Sequence, residues 1–253
     1  MRTLIIPDLH LRWKKAEDII VQASSQDSKY IDSTVFLGDY FDDFSDSVLD
    51  NVEMAKWLKW SIQQSNRIHL MGNHDMSYRF PHKSYKCSGY TYEKEYSINQ
   101  ILTQMDWNKL ELYTWVGDYL CSHAGLHQFF YDKYGKGKEF KPWLKSICNE
   151  AIDNALDGYA DLPILRAGMS RGGIETYGGI VWCDSSEFIP ISGINQIFGH
   201  TSLPQPKWIN FSDPNAIYSK NLALDVNNAD YYAIYDDSNV DNPITIHKTR
   251  GRQ

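Results

Sequence analysis

The chain has 253 residues, of which 42% are hydrophobic and 23% are charged, a balance typical of a globular protein with a sizeable core. Its net charge of −7 gives no general attraction for nucleic acid, so we expect no duplex DNA partner. The sequence predicts neither a signal peptide nor a membrane span, and its four widely spaced cysteines are typical of reduced thiols. We therefore expect a cytoplasmic protein with no membrane partner.

The first part of the chain predicts alternating strands and helices. Apolar runs at 2–7, 34–37 and 66–71 predict strands, and residues 13–24 predict a helix. A second helix is predicted over 46–64, where apolar residues recur at spacings of three and four. The order β-α-β-α-β indicates parallel strands that are joined by right-handed crossovers.

The middle of the chain is less regular. Residues 76–96 contain five tyrosines and several basic residues, and they predict a long loop. Residues 97–106 predict a helix, and residues 126–157 predict mainly helix with a break near 135–137.

Short strands dominate the rest of the sequence. Residues 110–116 and 119–122 flank a predicted hairpin turn, and strands return from residue 178, beginning with GGIVW. No linker divides the chain, so we expect one domain over residues 1–253, with a loop and helical insert at about 76–165.

Polar side chains directly follow each of the first three predicted strands. Asp8 and His10 follow the first strand, Asp39 follows the second, and Asn73 follows the third. Asp8 and His10 are two apart, so in an extended segment they face the same way. Ligands of open α/β sheets bind beyond the carboxyl ends of the strands, so we expect these side chains to meet there.

Two histidines later in the chain have the same setting. His123 follows the apolar residues YLC and a serine, and His200 follows IFG. Carboxylate, imidazole and amide oxygen together suit divalent metals such as Mn, Fe or Zn. One carboxylate can also bridge two ions, as in two-metal hydrolytic sites.

Five motifs occur in a fixed order along the sequence: DLH at 8–10, GDYFD at 38–42, GNHD at 72–75, SHAG at 122–125 and GHT at 199–201. A lone Asp-x-His is a weak signal, but five motifs in order, each after an apolar strand, are specific. The set resembles the calcineurin-like metallophosphoesterase superfamily, and the final GHT is most similar to the Ser/Thr protein phosphatase branch with its bacterial and phage members.

The resemblance implies a fold and a set of roles. The fold would be a four-layer α/β/β/α sandwich of two mixed sheets flanked by helices, with a helical insert. His74 would be the general acid that protonates the leaving oxygen, and Asp42 would orient it. Two divalent ions, with Mn favoured over Fe, Zn or Ni, would activate the attacking water. The implied metal ligands are Asp8 and His10 on the first ion, Asp39 between both ions, and Asn73, His123 and His200 on the second.

The sequence departs from the resembling phosphatases where they carry two phosphate-binding arginines. Here Asp43 follows the GDYFD motif and Met71 precedes GNHD. Arginine binds phosphate oxygens with paired hydrogen bonds, so other basic residues are needed to replace the two. The candidates for substrate binding are Arg79, Lys83, Arg166 and Arg171.

These features predict a dinuclear-metal-dependent phosphomonoesterase. Its substrate would be a phosphoprotein, a nucleotide or a small phosphate ester. The alternative is a phosphodiesterase that acts on nucleotides or nucleic-acid ends, because the tyrosines and basic residues of 76–96 are of the types that bind bases and phosphates. A third possibility is an interaction scaffold that keeps this fold without catalysis.

Overall fold

Two mixed β-sheets lie at the centre of the computed structural model, which describes residues 1–25, 30–210, 218–226 and 229–250. The strands are β1 (Arg2–Ile6), β2 (Ser33–Phe36), β3 (Arg67–Leu70), β4 (Leu110–Glu111), β5 (Tyr113–Val116), β6 (Tyr119–Ser122), β7 (Asn195–Phe198), β8 (Lys207–Asn210), β9 (Lys220–Ala223), β10 (Tyr231–Asp236) and β11 (Ile244–Lys248). The helices are α1 (Trp13–Ser25), α2 (Val48–Ser61), α3 (Asn73–Arg79), α4 (Tyr92–Asn99), α5 (Gln104–Trp107), α6 (Gln128–Phe130) and α7 (Phe140–Leu156). No helix within these described ranges is long and apolar enough to cross a membrane.

The first sheet has the order β11-β10-β1-β2-β3-β4, and the second has the order β5-β6-β7-β9-β8. Strands β1 to β4 are parallel, whereas β10 and β11 are antiparallel additions to one edge. In the second sheet β6, β7 and β9 are parallel, and the edge strands β5 and β8 are antiparallel. The predicted fold class, two mixed sheets flanked by helices, is confirmed, while the assignment of all residues to one domain stays a prediction.

Alternate residues of β1 serve two different cores. Ile5 packs between the sheets with Val35, Leu70 and residues of the second sheet such as Ile197. Leu4 and Ile6 instead join the core under the helices. Successive strand side chains point to opposite faces, so one continuous apolar run can fill both layers. Each such side chain contributes about 1.5–3 kcal/mol by leaving water.

Residues 76–96 do not form the predicted long loop. Helix α3 continues through Arg79, a 3-10 turn covers Lys83–Tyr85, and α4 begins at Tyr92. Thr91 ends the irregular stretch, because its side chain accepts a hydrogen bond from the Lys94 backbone N–H and caps α4. The prediction is wrong because a tyrosine-rich composition does not distinguish exposed rings from buried ones, and Tyr78 and Tyr85 are 1% exposed and belong to the core.

Two predicted strands also differ from the structure. Residues 110–116 divide into β4 and β5, which belong to different sheets and are joined at the buried Leu112. Residues 178–182 form turns instead of a strand. A side chain at Gly179 would clash with the backbone carbonyl of Ile164, so this segment packs directly against a neighbouring backbone.

Candidate active site

The side chains that follow the strands of both sheets meet at one place. Ligand atoms of Asp8, His10 and Asp39 lie within 4.8 Å of one another, and so do those of Asp39, His123 and His200. Asp39 belongs to both groups. The structure therefore brings together two clusters of metal-ligand types that share one carboxylate.

The second cluster converges on the imidazole of His123. Its Nε2 lies 3.0 Å from Asn73 Oδ1, 3.2 Å from His200 Nδ1 and 3.4 Å from Asp39 Oδ2. Its Nδ1 donates to the Leu37 carbonyl at 2.9 Å, so Nε2 is the nitrogen that is left for coordination. An amide oxygen, a carboxylate oxygen and two imidazole nitrogens thus face one point.

The first cluster is held by backbone groups in the same way. His10 Nδ1 donates to the Asp42 carbonyl at 2.8 Å, and its Nε2 lies 3.7 Å from Asp39 Oδ2. The Asp8 carboxylate accepts a hydrogen bond from the His200 backbone N–H at 3.0 Å. The rings of His10 and His123 are thus both oriented by backbone carbonyls and not by flexible side chains. Each cluster therefore contains an imidazole with a fixed orientation.

The charges in the site require a positive partner. Burial and the neighbouring Asp225 carboxylate raise the pKa of Asp8 well above its usual range. Burial lowers the pKa of His200 well below its usual range, so this ring is neutral and able to coordinate. Burial opposes protonation of His123, but the charges of Asp39 and Asp8 outweigh it and raise its pKa to about 10. Crowded buried carboxylates that draw a proton onto a neighbouring imidazole are a setting in which a divalent cation can replace that proton, so these residues fit a pair of such ions.

Four site residues adopt left-handed backbone conformations. In the described part of the chain, seven non-glycine residues have positive φ, and four of them are His10 (40°), Asp39 (49°), Asp42 (63°) and His200 (67°). Such conformations cost about 1–3 kcal/mol each and concentrate at functional sites. Here they turn the chain sharply, so that side chains directly after a strand point back into the site.

Glycines permit the close approach of the loops. A side chain at Gly72 would clash with the Asp39 carboxylate, and one at Gly199 would clash with the Asp8 carboxylate. Both positions follow β-strands of the site, one in each sheet. The Gly-Asn-His and Gly-His motifs therefore need glycine because a carboxylate of the two clusters occupies the space of a side chain.

Asp75 joins two of the loops, a role that the sequence analysis missed. Its carboxylate accepts backbone hydrogen bonds from Gly72 at 2.8 Å, Asp39 at 2.9 Å and Tyr40 at 2.8 Å. It is also the third residue of α3, where an acidic side chain caps the helix N-terminus. The motif GNHD carried this signal, since Asp three residues after the cap position is a capping pattern.

His74 stands beside the shared carboxylate without belonging to either cluster. Its Nδ1 lies 3.0 Å from Asp42 Oδ2, and its backbone N–H donates to Asp39 Oδ1 at 2.9 Å. Its ring meets the His10 ring edge-on, with centroids 5.2 Å apart. Burial opposes protonation of His74, but the charges of Asp39 and Asp42 outweigh it and raise its pKa. With Nδ1 engaged by Asp42, Nε2 is the nitrogen that remains for a substrate.

Two arginines contact residues at or next to the metal-ligand candidates. Arg171 pairs with Asp184 at 2.8 Å and donates to Thr201, the residue after His200, at 3.0 Å. Arg12, which the sequence analysis did not single out, pairs with Asp43 at 2.8 Å and donates to the His10 carbonyl at 3.2 Å. Asp43 is therefore not an isolated negative charge, because a guanidinium accompanies it.

The other three basic candidates have different surroundings. Arg79 donates to Asn108 at 3.1 Å and lies over the Phe80 ring. Arg166 pairs with Glu175 at 2.9 Å, and Lys83 is exposed on its 3-10 turn. Of the four candidates, Arg171 is thus the one whose contacts reach the neighbour of a metal-ligand candidate.

Comparisons with known proteins identify a family and a shared fold. The calcineurin-like phosphoesterase family matches residues 1–204, while the curated proteins searched give no match. A cold-active protein tyrosine phosphatase is 14% identical with a TM-score of 0.61, covering 94% of this chain and 74% of that one. A protein serine/threonine phosphatase from Saccharomyces cerevisiae is 12% identical with a TM-score of 0.55, covering 100% of this chain and 81% of that one.

A hypothetical protein from Pyrococcus horikoshii has a similar fold, with 7% identity and a TM-score of 0.52 over 100% of this chain and 89% of that one. At such identities the likeness concerns the fold alone. The family match covers most of the chain and includes every motif from which the family was predicted. The chain therefore belongs to the calcineurin-like phosphoesterases, a family of metal-dependent hydrolases.

Proposed function

We propose that the chain is a phosphomonoesterase with two divalent metal ions, and one observation carries this proposal. The two ligand clusters share Asp39, and the His74–Asp42 pair stands directly beside that shared carboxylate. This arrangement combines a site for two cations with a proton donor next to it, which is what hydrolysis of a phosphate ester requires.

Six residues would hold the ions. When bound, the two cations supply Lewis acidity and lower the pKa of water to the neutral range. The mixed oxygen and nitrogen donors suit Mn, Fe, Zn or Ni, and Mn is the ion of this proposal. Both ions would share Asp39. Asp8 and His10 would hold one of them, and Asn73, His123 and His200 would hold the other.

His74 would complete the reaction as the general acid. The Asp42 carboxylate accepts the Nδ1 hydrogen, so the proton that His74 can transfer is the one on Nε2. Burial opposes ionisation of Asp42, but hydrogen bonds from His74, Tyr78 and Lys94 outweigh it and lower its pKa. The carboxylate therefore stays charged at neutral pH and holds the ring in one orientation.

Arg171 and Arg12 would bind the phosphate oxygens. Each guanidinium is held by a carboxylate and keeps further N–H groups that its contacts do not use. A phosphate monoester carries one more negative charge than a diester at neutral pH. Two cations together with two arginines that contact neighbouring residues favour the more highly charged ester, which supports a monoester substrate over a diester.

A substrate panel tests the proposal. The Mn-loaded protein would be assayed on para-nitrophenyl phosphate, its bis-ester, a phosphopeptide and a set of nucleotides, with Asp39→Asn as the control for contaminating phosphatases. We expect a higher kcat/KM for monoesters than for the bis-ester, and no activity in the control. Hydrolysis of the bis-ester alone would overturn the monoester proposal in favour of a phosphodiesterase.

A further inference from the structure

Lys94 is a buried lysine of helix α4 that contacts Asp42, the carboxylate partner of the proposed acid His74. Its side chain is 6% exposed. Nζ donates to Asp42 Oδ1 at 2.9 Å, to Asp46 at 2.8 Å and to the Gly89 carbonyl at 2.8 Å. An ammonium group has three donors, and all three are used. Burying such a charge is costly unless it is paired in this way, so the position is specific for a cation.

Other hydrogen bonds hold the Asp42 carboxylate and backbone in place. Asp42 Oδ1 also accepts the Tyr78 hydroxyl at 2.5 Å, which leaves Oδ2 for His74 Nδ1. Asn51 accepts from the Asp42 backbone N–H at 3.2 Å and donates to Asp46 at 2.5 Å. The carboxylate is therefore fixed at both oxygens and at its backbone, and it cannot rotate without breaking these bonds.

We propose that Lys94, assisted by Tyr78, is a positioning residue for the acid step, an inference that rests on the proposed phosphoesterase function. By holding Oδ1, the two donors orient Oδ2 toward Nδ1 of His74 and aim Nε2 at the leaving oxygen. As the oxygen of the attacking water forms a bond to phosphorus, the ester P–O bond breaks and the leaving oxygen takes the Nε2 proton. His74 then becomes neutral and keeps its Nδ1 hydrogen bond to Asp42. Lys94 neither gives nor takes a proton.

The dependence of rate on the leaving group separates this role from a merely structural one. A nitrophenolate departs without a proton, whereas an alkoxide needs one, so only the second substrate reports the acid. We expect Lys94→Met to lower kcat for an alkyl phosphate by about 10-fold or more, within the about 10²–10⁴-fold range of general acid catalysis. The kcat for para-nitrophenyl phosphate and both KM values should change less than about twofold.

Lys86 offers a matched control for the loss of a partly buried lysine. It lies in the same segment and donates to Glu95 at 2.8 Å and to the Ser77 carbonyl at 2.6 Å. Its side-chain contacts do not include Asp42 or His74. Lys86→Met should therefore leave the ratio of the two kcat values unchanged, even where it lowers the melting temperature. Lys94→Arg, which keeps the cation, should recover part of the alkyl phosphate rate.

Tyr78→Phe provides a second test if Lys94→Met fails to fold. It removes the hydroxyl that donates to the same oxygen of Asp42, and it retains the aromatic ring. A selective loss of alkyl phosphate turnover in either variant, with metal content unchanged, supports the inference. Equal losses on both substrates, or no loss on either, overturn it while wild-type hydrolysis sustains the proposed function. Absence of hydrolysis by the wild-type protein overturns both.

Discussion

The proposed metal ligands and the proposed acid are oriented by different means. The proposed ligands lie just after strands, and backbone groups orient several of them, as the Leu37 carbonyl does for His123. The acid is oriented by side chains from separate segments, since Asp42 depends on Lys94, which is 52 residues away in sequence. The ligand half of the site therefore belongs to short motifs, whereas the acid half depends on how α4 packs.

The largest effect is expected where the two ligand clusters meet. Asp39→Asn weakens the ligand shared by both, so the protein should lose at least one metal ion. We expect kcat/KM to fall by more than about 10³-fold, beyond the about 10–100-fold cost of losing an outer-shell partner. Metal analysis after gel filtration, combined with a phosphatase assay, measures both effects. Asp43→Asn, a change in the same loop, is the control for metal content and should retain both ions, whereas retention of two ions by Asp39→Asn would refute the bridging role.

Removal of the proposed acid should lower the rate and leave metal binding unchanged. His74→Asn removes the proposed proton donor but none of the proposed ligands, so the metal content should remain that of the wild type. We expect kcat for an alkyl phosphate to fall by about 10²–10⁴-fold. The measurement pairs metal analysis with steady-state kinetics. Loss of metal in this variant would show that His74 is a ligand and that the two halves are not separate.

The arginines beside the site should affect binding more than chemistry. Arg171→Ala and Arg12→Ala each remove charge-assisted hydrogen bonds worth about 1.5–3 kcal/mol, so KM for a monoester should rise by about 10-fold or more. Arg166, which pairs with Glu175, supplies the matched control. Steady-state kinetics of the three variants decide the matter. An increase in KM for Arg166→Ala alone would move the phosphate site away from Arg171 and Arg12.

A histidine outside both halves should affect stability and not catalysis. His69 is buried, and its ring nitrogens lie 2.9 Å from the Tyr40 hydroxyl and 3.0 Å from the Ser61 hydroxyl. Burial and the charge of Arg67 lower its pKa from 6.5 to about 3. Because the unfolded chain takes up this proton more readily, the stabilisation is present above pH 6.5 and is lost as the pH falls toward 3.

The expected size is about 1.4 kcal/mol of unfolding free energy per pH unit between those values. Urea denaturation of metal-free protein at pH 6.5, 5.5 and 4.5 measures the slope, and His69→Gln removes this proton from the balance. The variant should be less stable at pH 6.5 but should lose stability more slowly on acidification. Equal slopes for the two proteins would contradict the neutral, buried state of His69.

Much of the ligand half could be predicted from the sequence, because each ligand directly follows an apolar strand within a short motif. The parallel order of the first strands follows from the same alternation of elements. Lys94 could not be predicted, since nothing local marks a lysine in the first turn of α4 as the partner of Asp42. Arg12 lies only two residues after His10, but its role depends on Asp43, which another loop supplies.

The failed prediction for residues 76–96 has a related cause. A tyrosine-rich stretch resembles an exposed loop in composition, yet Tyr78 packs against Phe41 with ring centroids 5.3 Å apart and donates its hydroxyl to Asp42. Burial of a ring with a polar tip is decided by the availability of an acceptor inside the protein. That acceptor is the same carboxylate that orients His74.

The most direct test of the two-metal site is a titration of metal-free protein with Mn²⁺, followed by EPR spectroscopy. The ions of two-metal hydrolytic sites lie about 3.5–4 Å apart, so we expect saturation at about two Mn²⁺ per chain with the spectrum of a magnetically coupled pair. Saturation at a single ion, or two ions with independent spectra, would contradict the assignment of Asp39 as the ligand between them.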